Sequence, residues 1–280
     1  MAKILSGKEV VASLNEKLRA EVERLKGDGI SPTLAIVRLG ERPDDISYER
    51  GAMKRAETVG VAVKQFILPA ETTEADLLEL IRQINEDSSL HGLLLFRPLP
   101  KHIDEEKVRN SISPAKDVDG ITDLSLAGVF TGSGHGYPPC TAQACIETFD
   151  HFGIELKGKR VAMIGRSLVV GKPLSMMLLG RHATVTICHT RTVDMPAVCR
   201  EAEIVIAAAG RAKVVDKDFF APGQIVLDVG INVDEAGNLC GDADFAAAEQ
   251  IVEAITPVPG GIGTVTTSVL LKHVISAAGQ

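Results

Sequence analysis

A chain of 280 residues with 45% hydrophobic content can bury one large core or two moderate ones, and domains of roughly 100 to 200 residues make two the expectation. Its formal net charge of -7 argues against a nucleic-acid partner, because a phosphate backbone needs a basic face. The opening MAKILSGKEVVASLNEKL is charged too early for a secretion signal, and no apolar run nears the roughly 20 residues that span a bilayer, so a cytoplasmic protein with no membrane partner is expected.

Val10, Leu14, Leu18, Val22 and Leu25 recur at helical spacing behind Ser6, a capping hydroxyl, and predict an amphipathic first helix. An apolar run, Leu34 to Leu39, closes at Gly40; a helical stretch follows from about Asp44 to Val59, then a second run, Val61 to Leu68. Thr73 opens a helix carrying Leu77, Leu78, Leu80 and Ile81, and Gly92 to Phe96 reads as a short buried strand ended by Pro98 and Pro100. Such alternation implies parallel strands. From Lys116 to Pro139 the chain is rich in Gly, Asp, Ser and Pro, as expected of a junction between domains. Alternation then resumes with strands at Arg160 to Ile164, Ala183 to Cys188, Ile204 to Ala208 and Ile225 to Val229, and a helix at Thr264 to Ala278. The fold class is therefore α/β with two domains.

Cys140, Cys145, Cys188, Cys199 and Cys240 form no CxxC pair and are odd in number, and the seven histidines show no HxxxH or HExxH. Reduced thiols and no metal are expected.

Val161 to Pro173, VAMIGRSLVVGKP, reads as strand, tight turn and helix. Glycines at 165 and 171 let backbone approach a pyrophosphate while the helix N-terminus offers free N–H groups; a glycine pair outside the usual GxGxxG spacing also suits a plain turn. Roughly 20 residues past such a turn, an acid would hold the ribose hydroxyls of NAD. Here His189-Thr190-Arg191-Thr192 stands instead, and with Arg166 it offers guanidinium groups for a 2′-phosphate, which favours NADP and leaves NAD open. Ala207 to Gly210 and Asp228 to Asn232 end successive strands and are expected to line the nicotinamide half. The expected nucleotide set is Gly165, Arg166, Ser167, Val170, Gly171, Thr190, Arg191, Gly210, Gly230, Ile231 and Thr266.

GRSLVVGKP, DVGIN and ITPVPGGIGTVT, preceded by KDVDG and the triplet Pro139-Cys140-Thr141, give the chain its family character: it resembles the methylenetetrahydrofolate dehydrogenase/cyclohydrolase family from GERPDDISYERG to the terminal helix. The resemblance implies a folate-binding catalytic domain at 1–139, completed by the helix 264–280, a Rossmann domain at 140–263, a cleft joining both cofactors, and a homodimer. It implies that Asp119 holds the pterin, that Tyr48 packs beside the folate ring, and that Pro259, Gly260 and Gly261 border the substrate. A carboxylate suits the pterin's paired N–H edge.

Bifunctional members of that family carry YxxxK and QLPLP. Here Ala52 stands four residues after Tyr48, and the second motif reads Phe96-Arg97-Pro98-Leu99-Pro100. In those members the lysine assists attack of water on the methenyl carbon, which needs a titratable group in reach. Lys54 lies about 240° around a helix from Tyr48 and should face away; Arg55 returns to that face about 10 Å along the axis but stays protonated, better suited to the folate glutamate tail. Asp45, Ala142 and Thr264 also depart from the family pattern. Hydride transfer requires mainly alignment, so a dehydrogenase with weak or absent cyclohydrolase activity is expected. A bifunctional enzyme, an amino-acid dehydrogenase on a similar two-domain plan and a non-catalytic folate or nucleotide sensor are the alternatives.

Overall fold

The computed structural model describes residues 1–280. Its strands are β1 (Lys3–Ile4), β2 (Thr33–Leu39), β3 (Ala62–Leu68), β4 (Gly92–Leu95), β5 (Arg160–Ile164), β6 (Thr184–Cys188), β7 (Ile204–Ala207), β8 (Ile225–Asp228), β9 (Asn232–Val233), β10 (Leu239–Cys240) and β11 (Ala254–Ile255). Its α-helices are α1 (Gly7–Gly27), α2 (Pro43–Val59), α3 (Glu74–Glu86), α4 (Glu105–Arg109), α5 (Asp123–Thr131), α6 (Cys140–His151), α7 (Gly171–Gly180), α8 (Met195–Arg200), α9 (Phe245–Ala248) and α10 (Ile262–Ala278). No helix is long and apolar enough to cross a membrane. All five cysteines are buried free thiols.

Two compact units make up the chain: Met1–Ser13 with Thr141–Thr266, and Leu14–Cys140 with Thr267–Gln280. In the first, six parallel strands lie in the order β1-β11-β8-β7-β5-β6. The sequences RVAMI, IVIA and IVLD are almost wholly apolar, as strands covered on both faces must be. Ala162, Ile164, Val205, Ala207 and Val226 pack there with Cys199, Phe219 and Ala248. Pairing of Ile164 with both Cys188 and Ala207, and of Ala207 with Asp228, aligns four strand ends on one edge. The chain leaves β5 for β6 on one side and then crosses to β7 on the other, and this reversal opens a crevice at the carboxyl ends.

In the second unit β2 is flanked by β3 and β4, all parallel. Ala35, Val37 and Leu39 of β2 and Leu93 and Leu95 of β4 pack with Leu77, Ile81 and Ile84 of α3. That spacing is one helical stripe, and each large side chain contributes about 1.5–3 kcal/mol on burial. The helix starts where its capping hydroxyl does: Thr73 Oγ1 accepts the Asp76 N–H at 3.2 Å.

Three features differ from the sequence expectation. The segment Lys116 to Pro139 holds a helix, α5, capped by Thr122, whose Oγ1 accepts the Ser125 N–H. Met1–Ser13, grouped by sequence with the residues up to 139, belongs instead with Thr141–Thr266, because Lys3 and Ile4 pair in register with Ala254 and Ile255 at the edge of the larger sheet. Finally, α6, the hairpin β9–β10 and the short elements α4, α8, α9, β1 and β11 have no counterpart among the elements read from the sequence.

Candidate functional site

Gly165 leaves β5 at the crevice of the first unit, with its N–H donated to the Cys188 carbonyl at 2.9 Å. It sits at φ +117°, and a Cβ there would lie 2.1 Å from the Ala208 carbonyl oxygen. A Cβ on Gly171 would lie 2.2 Å from the Gly165 oxygen. Both positions therefore require glycine for close backbone approach. Ser167 Oγ accepts the Val170 N–H at 3.1 Å, which folds the turn back so that α7 begins at Gly171 with buried Val170 ahead of it.

A cavity of about 300 Å³ adjoins this turn, lined by Gly165, Arg166, Ser167, His189, Thr190 and Arg211 among others. The loop after β6 is tied to itself: the His189 N–H is donated to Thr192 Oγ1 at 2.9 Å and the Arg191 N–H to His189 Nδ1 at 3.1 Å. Arg191 is exposed and does not line the cavity, whereas Arg211 does. Sequence reasoning missed Arg211; its signal was an arginine directly after the glycine that ends the β7 turn.

Gly210 belongs to that turn, and a buried acid holds it. The Asp242 carboxylate accepts the N–H groups of Ala209 (2.5 Å), Gly210 (3.0 Å) and Arg211 (2.8 Å), together with Asn232 Nδ2 at 2.9 Å. Asp228 accepts the N–H groups of Gly230, Asp242 and Ala243 at 2.9–3.1 Å. Burial pushes the Asp228 carboxyl up to about 6, despite these donors. Gly230 has no room for a side chain, since a Cβ would lie 2.3 Å from the Asp242 carboxyl carbon. Asp242 was not singled out from the sequence, and Asp228 was read only as the end of its strand, because most of their partners are distant along the chain.

A second cavity of about 290 Å³ brings Gly230 and Ile231 together with Pro259, Gly260 and Gly261. Gly260 accepts the Gly7 N–H at 2.9 Å and has φ +102°. Thr266 lies within α10, Oγ1 bonded to the Gly263 carbonyl, and lines neither cavity.

In the second unit, Tyr48 on α2 is 40% exposed and meets the buried Phe96 ring edge to face, centroids 5.8 Å apart at 81°. Ala52, one turn along, is fully buried. Lys54 lines a groove of about 790 Å³ with Arg50, Met53, Glu57, Val63 and Gln65, and Tyr48 is not part of that lining. Arg55 is half-buried, and burial holds its guanidinium below the ordinary value.

Asp119 occupies the loop after buried Asp117, whose carboxylate accepts the N–H groups of Ile121 (3.0 Å) and Thr122 (2.8 Å). Burial, and then the Asp117 charge, push the Asp119 carboxyl up to about 6 against the opposing Arg97 cation and Cys140 thiol.

Comparison with known proteins accounts for both units. Residues 5–119 match the model of the tetrahydrofolate dehydrogenase/cyclohydrolase catalytic domain, and residues 139–280 match that of the same family's NAD(P)-binding domain. The bifunctional protein FolD of Clostridioides difficile is 49% identical over 98% of this chain and 96% of its own length. The crystal structure of the bifunctional enzyme FolD from Campylobacter jejuni superposes with a TM-score of 0.96 at 36% identity, covering 100% of this chain and 99% of that one. The Trypanosoma brucei dehydrogenase-cyclohydrolase, complexed with NADP and an inhibitor, gives a TM-score of 0.91 at 32% identity over 99% and 97% of the two chains.

Proposed function

Because the chain belongs to the tetrahydrofolate dehydrogenase/cyclohydrolase family, we propose that it oxidises 5,10-methylenetetrahydrofolate to 5,10-methenyltetrahydrofolate with NADP as hydride acceptor. The observation that carries the nucleotide half is the turn between Gly165 and Gly171 at the carboxyl edge of the six-stranded sheet, where the missing Cβ atoms let the backbone fold tightly ahead of the N-terminus of α7. NADP supplies the redox chemistry; the chain's own residues bind and orient. Arg166 and Thr190 line the adjoining cavity and, with Arg191 on the neighbouring loop, suit a 2′-phosphate better than the bare ribose hydroxyls of NAD. Gly210, Gly230, Ile231 and Thr266 complete the nucleotide side.

On the folate side, Asp119 accepts the N–H edge of the pterin and Tyr48 packs beside its ring, with Pro259 to Gly261 bordering the substrate. The unit Leu14–Cys140 with Thr267–Gln280 then carries folate, and the unit built on the six-stranded sheet carries the nucleotide. A homodimer belongs to the same reading and rests on family resemblance.

Hydrolysis of the methenyl product is weak or absent in this reading. Ala52 has no titratable group, and Phe96 fills the space beside Tyr48 with an apolar ring. The competing reading is a bifunctional enzyme, favoured by the description of the Clostridioides difficile relative at 49% identity. One preparation assayed twice separates them: appearance of reduced nicotinamide with methylenetetrahydrofolate and NADP or NAD, and loss of methenyltetrahydrofolate above the buffer rate. No reduced nicotinamide with either nucleotide would sink the dehydrogenase reading, and clear hydrolysis would establish the bifunctional one.

A further inference from the structure

Ile46, Arg50, Met53 and Glu57 recur along α2 at spacings of four, three and four, which makes one helical stripe, and all four line the groove of about 790 Å³. Across the groove stand Val63 and Gln65 of β3, an edge strand with a neighbour on one side only. Met53 is 37% exposed; Ile67, which strand alternation puts on the same face of β3 as Val63 and Gln65, is 53% exposed. An open apolar face beside a free sheet edge is a surface that folded chains ordinarily cover.

The floor of the groove argues against a small ion as the occupant. Arg38 and Glu49 are buried there, with Arg38 Nε 2.8 Å from Glu49 Oε2. Gln65 Nε2 donates to Glu49 Oε1 and Arg38 Nη1 to the Gly40 carbonyl, so both charges are met within the chain. The rim is different: Arg50, Lys54 and Glu57 are exposed and belong to no ion pair of the chain. Arg50 and Glu57 are seven residues apart, about 10.5 Å along the helix, too far to pair with each other. Two copies of α2 running antiparallel across a two-fold axis near Met53 bring Arg50 of each copy opposite Glu57 of the other. We propose that this face of α2 and β3 is an interface with a second copy of the chain, with Met53 at its centre and two Arg50–Glu57 ion pairs across it. Lys54 adjoins that centre, where its stem covers apolar surface while its ammonium group stays in water. A parallel pairing would set Arg50 against Arg50 and Glu57 against Glu57, and like charges disfavour it. The inference deepens the homodimer reading by naming its surface.

Sedimentation of the full-length protein, over a concentration range that gives the dimer Kd, carries the test. Arg50→Glu and Glu57→Arg each turn both pairs into like-charge contacts, and each weakens the dimer at least about tenfold. Combined in one chain, the two substitutions exchange the signs and return Kd to within about threefold of wild type. Met53→Asp sets two charges together at the centre and weakens the dimer at least about a hundredfold. All three positions are exposed, and circular dichroism checks that each variant is folded.

A double variant no tighter than the single ones would overturn the proposed pairing, and a Met53→Asp dimer as tight as wild type would overturn the surface. If Met53→Asp does not fold, the set at Arg50 and Glu57 decides. A dimer that none of these substitutions disturbs sinks this surface alone, whereas a wild-type chain that stays monomeric sinks the homodimer reading with it. Formation of reduced nicotinamide by the same preparations judges the dehydrogenase reading separately.

Discussion

The Asp228 carboxylate accepts the backbone N–H of Asp242 at 3.0 Å, and the Asp242 carboxylate in turn gathers three N–H groups of the turn Ala209–Arg211. Two buried acids thereby link the ends of β7 and β8 to the segment after β10, and hold the backbone that the nucleotide is proposed to meet. Neither carboxylate is paired with a cation; oriented N–H dipoles take that role.

Asp242→Ala would leave those three N–H groups and Asn232 Nδ2 without their acceptor in a fully buried position. The expected loss is about 3–5 kcal/mol of unfolding free energy, read from denaturant titration, with weaker NADP binding. Asp242→Asn keeps one acceptor oxygen and should lie between the two. A wild-type midpoint for Asp242→Ala would refute the bracing role.

Stability should also depend on pH through Asp119, whose folded-state carboxyl titrates at about 6 because of burial and the Asp117 charge. An acid raised in the folded state binds its proton more tightly there than in the unfolded chain, where it titrates near 4. Its favourable contribution is therefore complete below about pH 4 and is lost as the pH rises through about 6. Asp119→Asn removes this dependence. Relative to wild type, the variant should gain roughly 2–3 kcal/mol as pH rises from 4 to 7, while folate turnover falls. Chemical denaturation of both proteins at several pH values checks the sign, and a difference independent of pH would contradict it.

Gly165→Ala tests the nucleotide turn. A methyl group at φ +117° would meet the Ala208 oxygen at 2.1 Å, and backbone rather than a mobile side chain would have to yield. Expected are at least a tenfold weaker NADP affinity and a loss of about 2 kcal/mol or more in stability, with binding read by fluorescence titration. Wild-type NADP affinity in this variant would place the nucleotide elsewhere.

How far the sequence carried this picture depended on the range of each interaction. Strand β5 and the turn at Gly165 were legible because strand, glycine and helix follow one another within a few residues. Thr73 was legible because a capping hydroxyl acts on an N–H three residues ahead. Two-residue strands such as Lys3–Ile4 and Ala254–Ile255 have no periodicity to detect, and their pairing spans almost the whole chain. Asp242 was missed for a related reason, and Asp228 was read only as a strand end: each becomes informative only through partners that folding brings to it. Likewise Arg191 was readable as a nearby cation, but only the cavity lining distinguishes it from Arg211.

The pair Ala52 and Phe96 gives the sharpest test of the proposal that hydrolysis is weak. Ala52 is fully buried one turn beyond Tyr48, so Ala52→Lys must drive three further methylenes and an ammonium group into packed space. With the Phe96 ring still edge-on to Tyr48, that ammonium has no polar partner there, and the single variant should lose about 2–4 kcal/mol and gain no hydrolysis. Phe96→Gln alone opens a cavity and leaves an amide facing Tyr48. Combined, the amide can accept from the ammonium, so the double variant should be more stable than the sum of the two losses predicts, by about 1 kcal/mol or more. It should also be the first of the set to hydrolyse methenyltetrahydrofolate above the buffer rate. Additive stabilities with no hydrolysis in the double variant would show that loss of this polar pair does not explain the chemistry.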